Sequence, residues 1–236
     1  MEEPKQSVRI QQSILNGAEK KFLLWMADRL PLWVSSDMMT WLGVFGAMLC
    51  GIGFVLTHLS IYWLWLSIVG LFINWYGDSL DGTIARVRNQ QRPLYGYYLD
   101  HNVDIICEFF VFVGLGLSPL LHLSIALLSY VAYLSLTVYV SINAHLKNEF
   151  KLTYGKMGPT EIRLVIVIVC LLFMYIPALV NYSGSLALWG ESITYGAFDI
   201  IGLCIWLILM AMYLISFAKD AAWFAKRDPL KKHVNE

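Results

Sequence analysis

The chain has 236 residues, of which 58% are hydrophobic and only 14% charged, and its mean hydropathy is +0.60. That balance excludes an ordinary soluble domain of this size and places the chain in a bilayer. The formal net charge is zero, so orientation has to be read from where Lys and Arg sit.

The first residues, Met1-Glu2-Glu3-Pro4-Lys5, lack the short apolar core and small-residue cleavage site of a secretory signal, and no leader is expected to be removed. Residues 7–30 then mix Ile10, Ile14, Leu15, Phe22, Leu23 and Trp25 with Arg9, Lys20, Lys21 and Arg29. This pattern predicts an amphipathic helix lying in the membrane interface. Pro31 turns the chain towards the bilayer. Residues 1–35 therefore read as an interfacial helix and linker, and 36–236 as one membrane domain without internal repeat or low-complexity segment.

Six apolar runs of roughly span length follow, over 38–59, 61–77, 97–117, 121–144, 162–180 and 197–217. The connections after the first and third runs are so short that the flanking helices must be antiparallel neighbours. The expected fold is an all-α integral membrane bundle of six transmembrane helices. With these spans the 17 Lys and Arg group as five before the first span, three in 86–92, four in 147–163 and five from Lys219 onward. The opposite connections, around His58, around His122 and over 181–196, carry none. That segregation predicts both termini on the cytoplasmic side. Cys50, Cys107, Cys170 and Cys204 each lie in an apolar run without Cys-x-x-Cys spacing, so they read as small buried hydrophobes and not as a disulfide or zinc set.

Where the second run ends and the third begins, the chain reads Asp78-x-x-Asp81-Gly82-x-x-Ala85-Arg86, a polar link, then Gly96-x-x-x-Asp100-x-x-x-Asp104. Asp78 and Asp81 are three apart and Asp100 and Asp104 four apart, so on helices each pair shares a face. The two helices are joined at this end, and the two faces can meet. Carboxylates gathered beside hydrocarbon repel one another and are costly to desolvate, which calls for a neutralising cation. An all-oxygen set without Cys or His selects Mg²⁺ or Mn²⁺, with room for two ions. Gly82 and Ala85 strip side chains from the same helix face and leave a ligand access to the backbone, and Arg86 offers a fork of donors to phosphate. Solvated or ion-paired structural acids are the bland reading of any one of these aspartates.

The motif from Asp78 to Asp104 resembles the signature of the CDP-alcohol phosphotransferase family, integral membrane enzymes of phospholipid synthesis. The stretch between Arg86 and Gly96 is one residue longer than the family's usual eight, and the extra residue falls in the polar link. The resemblance implies transfer of a substituted phosphate from a CDP-alcohol donor to a lipid or small-alcohol acceptor with release of CMP. Asp78, Asp81, Asp100 and Asp104 are the implied metal ligands and Asp104 the implied general base. A Mg²⁺-bound carboxylate is a weakened base, so looser metal contact for Asp104, or His101 as base, would resolve the conflict.

Ser36-Asp37-x-x-Thr40-x-x-Gly43 resembles the family's segment near the nucleotide, with Ser36 in place of the usual proline. Asp37 and Thr40 are nucleotide candidates, and Ser36 or Asp37 capping the first span explains part of the pattern equally well. Lys156 and Arg163 flank a helix start at Gly158-Pro159-Thr160-Glu161; the resemblance places the acceptor pocket there, and positive-inside anchoring is the alternative. Asp100-His101 also occurs in members using CDP-choline or CDP-ethanolamine, and an interfacial histidine is the competing reading. Glu108, one turn beyond Asp104, either extends the carboxylate face or bonds a neighbouring helix. Tyr95, Tyr97 and Tyr98 read as interfacial belt. Membrane lipids surround the spans, a homodimer is compatible with the pattern, and no nucleic-acid partner is expected. A Mg²⁺-dependent membrane prenyltransferase and an ion-coupled transporter are the rival readings.

Overall fold

The computed structural model describes residues 8–10, 16–147, 149–151, 159–188 and 191–229. They form helices α1 (Asn16–Ala27), α2 (Ser36–Leu56), α3 (Leu64–Val87), α4 (Pro93–Gly116), α5 (Leu123–Lys147), α6 (Pro159–Tyr175), α7 (Pro177–Val180) and α8 (Ala197–Arg227), with a short 3₁₀ turn at Ile61–Trp63. The strands are β1 (Val8–Ile10), β2 (Glu149–Lys151), β3 (Ser183–Leu188) and β4 (Glu191–Gly196). Each expected apolar run falls on one of these helices, the fifth being divided between α6 and α7. Among the described residues α2, α5 and α8 are long and apolar enough to cross a membrane, and the chain is an integral membrane protein. α3 and α4 have the length but carry the acidic motif. α6 stops after 17 residues, because Pro177 cannot continue the helix and pushes Ile176 out of the helical region.

The helix expected over 7–30 is shorter than its pattern suggests. Val8–Ile10 pairs in parallel with Glu149–Lys151, a role suited to β-branched Val8 and Ile10, and among the described residues the helix covers Asn16–Ala27. Ile14 and Leu15 lie outside the described residues. Leu23 and Ala27 on α1 are buried against Leu80 and Ile84 of α3 and Met39 of α2, so α1 packs on the same end of the bundle as the aspartates.

α2 and α3 touch backbone to backbone. A Cβ at Gly46 would stand 2.7 Å from the Gly70 carbonyl oxygen, and one at Gly77 would stand 2.8 Å from Gly43 Cα. Only glycine permits this approach, the usual device for close helix pairs in lipid. Asn74 Nδ2 then donates to the Gly43 carbonyl at 3.1 Å. The first turn of α2 is capped by Ser35, whose hydroxyl accepts from Met38 N at 3.2 Å. Ser36 and Asp37, the sequence candidates for that role, are already one and two residues into the helix.

α3 ends in a paired reverse-bonded cap. Asn89 N–H reaches Arg86 O at 3.2 Å and Gln90 N–H reaches Ala85 O at 2.9 Å, with Asn89 at φ 55° in the left-handed region that Asn tolerates. Arg88 spreads its guanidinium over the carbonyls of Leu30 and Pro31, each at 3.0 Å, and that of Val34, tying the linker after α1 to the end of α3.

The turns at the opposite end are linked to each other. His58 Nε2 meets the Leu117 carbonyl at 3.0 Å. Asp199, buried at the start of α8, accepts from His122 N at 2.8 Å and from Gly196 N at 2.8 Å. β3 and β4 form an antiparallel hairpin here, Ser183 opposite Gly196 and Leu188 opposite Glu191, where the sequence reading had only a connection free of Lys and Arg. Cys50, Cys107 and Cys170 are buried thiols as expected, whereas Cys204 is exposed on the outer face of α8, because that helix packs along one side only.

Candidate active site

Asp78 on α3 and Asp100 and Asp104 on α4 each present a carboxylate oxygen, and the three oxygens lie within 4.8 Å of one another. The helical spacing and the tight α3–α4 link bring them together at the end of the bundle covered by α1. The donor set is all oxygen and partly buried, which suits a hard divalent cation that keeps further positions for water or phosphate. A small cleft beside them is lined by Thr40, Gly43, Asn74, Asp78, Asp81, Asp100, Val103, Asp104 and Cys107.

Asp81 borders this cleft but is turned towards α2. Thr40 Oγ1 donates to its Oδ2 at 2.7 Å, and the Gly82 backbone N–H bonds its Oδ1. Ser36 Oγ also donates to the Asp81 carbonyl at 2.9 Å. The close α2–α3 approach at Gly43 and Gly77 explains the difference from Asp78, since α2 covers that side of α3. Thr40 thus meets the acidic motif through Asp81. Asp37 instead pairs with Arg92 of the α3–α4 link at the surface.

Arg163 of α6 reaches across to α3 and donates from Nη2 to Asp78 Oδ2 at 2.7 Å. Both side chains are largely shielded, with 21% and 29% of their surface exposed, so the cation offsets part of the charge that the three carboxylates concentrate. Arg86 folds back over Gly82: a Cβ there would stand 3.3 Å from its Nη1, and its Nη2 donates to Thr83 Oγ1 at 3.1 Å. Ala85 is half-buried on the next turn, its carbonyl engaged by the cap after α3. Lys156 lies outside the described residues.

His101 stands beside the cluster on α4. Its Nδ1 is 3.0 Å from the Tyr97 carbonyl, and a carbonyl can only accept, so Nδ1 is the donor of that bond and Nε2 is the ring nitrogen left for other contacts. Tyr97 packs over the imidazole with ring centroids 4.1 Å apart. Oε2 of Glu108 is shut off from the surface, with no hydrogen-bond partner among the described residues.

Asn74 is the polar lining residue that sequence reasoning missed. It precedes Asp78 by four positions and so shares its face, a signal present in the spacing. Glu19 was missed as well: its Oε1 accepts from Trp75 Nε1 at 2.8 Å and from Thr160 Oγ1 at 2.9 Å, contacts across 56 and 141 residues that no local pattern announces.

The profile of the CDP-alcohol phosphatidyltransferase family matches residues 33–218, a stretch that contains the whole carboxylate cluster, Thr40 and Arg163, and the chain belongs to that family. Its curated relatives include cholinephosphotransferase 1 of Bos taurus, 28% identical over 166 residues, covering 68% of this chain and 41% of the relative. The Homo sapiens cholinephosphotransferase 1 is 26% identical with the same coverage. That of Gallus gallus is 26% identical over 182 residues, covering 71% of this chain and 54% of the relative. The chain thus spans about half or less of the length of these relatives. Membership removes the prenyltransferase and transporter readings.

Proposed function

We propose that the chain transfers a substituted phosphate from a CDP-alcohol to an acceptor hydroxyl, releasing CMP, as a step of phospholipid synthesis. The observation that carries this reading is the meeting of Asp78, Asp100 and Asp104 oxygens within 4.8 Å inside the stretch matched by the family. Asp78, Asp100 and Asp104 would hold Mg²⁺ or Mn²⁺, with Asp81 completing the set when a second ion is present. Bound there, such ions supply charge to offset the pyrophosphate and the departing CMP.

The remaining work falls to the chain's own side chains. Gly82 and Ala85 leave the α3 backbone open to the cytidine diphosphate, and Arg86 supplies donors to its phosphates. Asp37 and Thr40 border the nucleotide from α2. Arg163, with Lys156 from the preceding link, offers positive charge to the transferred phosphate or an anionic acceptor. The acceptor oxygen attacks the phosphorus distal to cytidine, the phosphorus–oxygen bond to CMP breaks, and the acceptor proton passes to Asp104 or to Nε2 of His101.

A phosphocholine-type donor is favoured over CDP-diacylglycerol by two observations: the relatives are named cholinephosphotransferases, and Asp100 is followed by His101. A lipid alcohol is then the acceptor. The reading includes six spans on α2 to α6 and α8, an interfacial α1, both termini and the carboxylates on the cytoplasmic side, and compatibility with a homodimer. CMP release by the purified chain, measured with CDP-choline plus diacylglycerol and with CDP-diacylglycerol plus small alcohols, separates the two donor classes. Release from neither would refute the reading.

A further inference from the structure

Glu19 on α1 lies outside the carboxylate cluster, yet one of its oxygens joins the two helices that carry the Asp78–Arg163 pair. Oε1 accepts from Trp75 of α3 at 2.8 Å and from Thr160 of α6 at 2.9 Å. Trp75 precedes Asp78 by three residues and Thr160 precedes Arg163 by three. Three residues is close to one helical turn, so the clasp sits about one turn from the ion pair on both helices. A carboxylate oxygen has lone pairs enough for both donors, and its charge strengthens both bonds. Phe22, one turn further along α1, stacks on Trp75 with centroids 6.4 Å apart and planes 13° apart.

We infer that Glu19 is a positioning residue: it makes α1 a strap that fixes the start of α6 against α3 and so holds Arg163 at Asp78. This rests on the functional reading above only for its kinetic consequence. If the strap is loosened, Arg163 withdraws from the carboxylates. A cation then binds them more tightly, because a competing positive charge has left. Turnover falls, because the same charge no longer serves the transferred phosphate. General loosening of the site would instead weaken both.

The geometric test needs no substrate or metal. Nitroxide labels at Val69 on α3 and Leu164 on α6, both exposed, in a Cys204→Ser background, report the α3–α6 distance in the full chain. One narrow distance is expected for the parent and for Glu19→Gln, which keeps the acceptor oxygen. A broadened one is expected for Glu19→Ala and for Thr160→Val, a near-isosteric change that keeps the test valid should Glu19→Ala fail to fold. Unchanged distances in both would overturn the inference.

The functional arm follows Mn²⁺ binding by electron paramagnetic resonance together with CMP release. Thr160→Val should tighten Mn²⁺ and slow CMP release by roughly fivefold each, the scale of one lost hydrogen bond, and should add nothing in an Arg163→Met background. Weakened Mn²⁺ binding in Thr160→Val would contradict the strap. A parent chain that binds no Mn²⁺ would count against the metal reading alone, because the label distances stand apart from it.

Discussion

Arg163 of α6 and Asp78 of α3 are 85 residues apart in sequence and meet at 2.7 Å, which brings a guanidinium to the group of three clustered aspartates. The pair gives the site a charge balance before any substrate arrives. It also fixes the start of α6 beside the carboxylates, while the far half of that helix packs into the core through Cys170, Phe173 and Met174.

Removing one partner of this shielded pair leaves the other uncompensated, a loss of up to about 3–5 kcal/mol for a buried pair and less here, because each side chain retains some exposure. Arg163→Met should therefore lower the thermal midpoint of the detergent-solubilised protein. Asp78→Asn combined with Arg163→Met should recover much of that stability while recovering no turnover. Additive losses in the double variant would show that the two side chains do not act as a pair.

Gly82 stands where a side chain would meet Arg86. Gly82→Leu is expected to weaken nucleotide binding by at least about tenfold, equivalent to ~1.4 kcal/mol, because the new atoms displace the guanidinium and fill the approach to the backbone. Equilibrium binding of CDP-choline or CMP measures it. Parent-like affinity would reduce Gly82 to a packing role.

The spacing of the acidic motif was legible in the sequence because it is local: Asp78 lies on one helix, Asp100 and Asp104 on the next, and a short link folds one onto the other. What Asp81 does was not legible. Its diversion to Thr40 depends on how closely α2 approaches α3, and that is set by Gly43, Gly46, Gly70 and Gly77, scattered over two helices. The Arg88 clasp and the Glu19 clasp were hidden for the same reason, their partners being backbone carbonyls and side chains far along the chain. α1 proved shorter than its amphipathic pattern, since the pattern records which residues tolerate an interface and not where the helical hydrogen bonds begin. The β3–β4 hairpin was read as a mere connection, although Leu186 and Leu188 alternate with small residues and Trp189-Gly190 separates the two runs.

The identity of the base can be decided by substitution and metal titration together. If Asp104 accepts the proton, Asp104→Asn should keep nucleotide affinity and lose the chemical step by about 10²–10⁴-fold, and saturating Mg²⁺ should not restore it. If His101 accepts it, His101→Gln should show the larger loss. Restoration of Asp104→Asn by Mg²⁺ would make Asp104 a ligand only.

The charge segregation predicts a sidedness that labelling can test. Single cysteines placed at Arg88 and Lys151 should resist a membrane-impermeant reagent applied to intact cells, whereas one at Ser185 in β3 should react. The reverse pattern would overturn the cytoplasmic placement of the carboxylates.

The central claim is metal-dependent transfer from a CDP-alcohol at the Asp78–Asp100–Asp104 cluster, and the most direct measurement is CMP release by the purified chain with CDP-choline and diacylglycerol. Release should require Mg²⁺ or Mn²⁺, stop on chelation, resume when the ion is returned, and be absent from Asp78→Ala and Asp100→Ala proteins that still insert and fold. CMP release that persists after chelation, or that survives in both variants, would contradict the account.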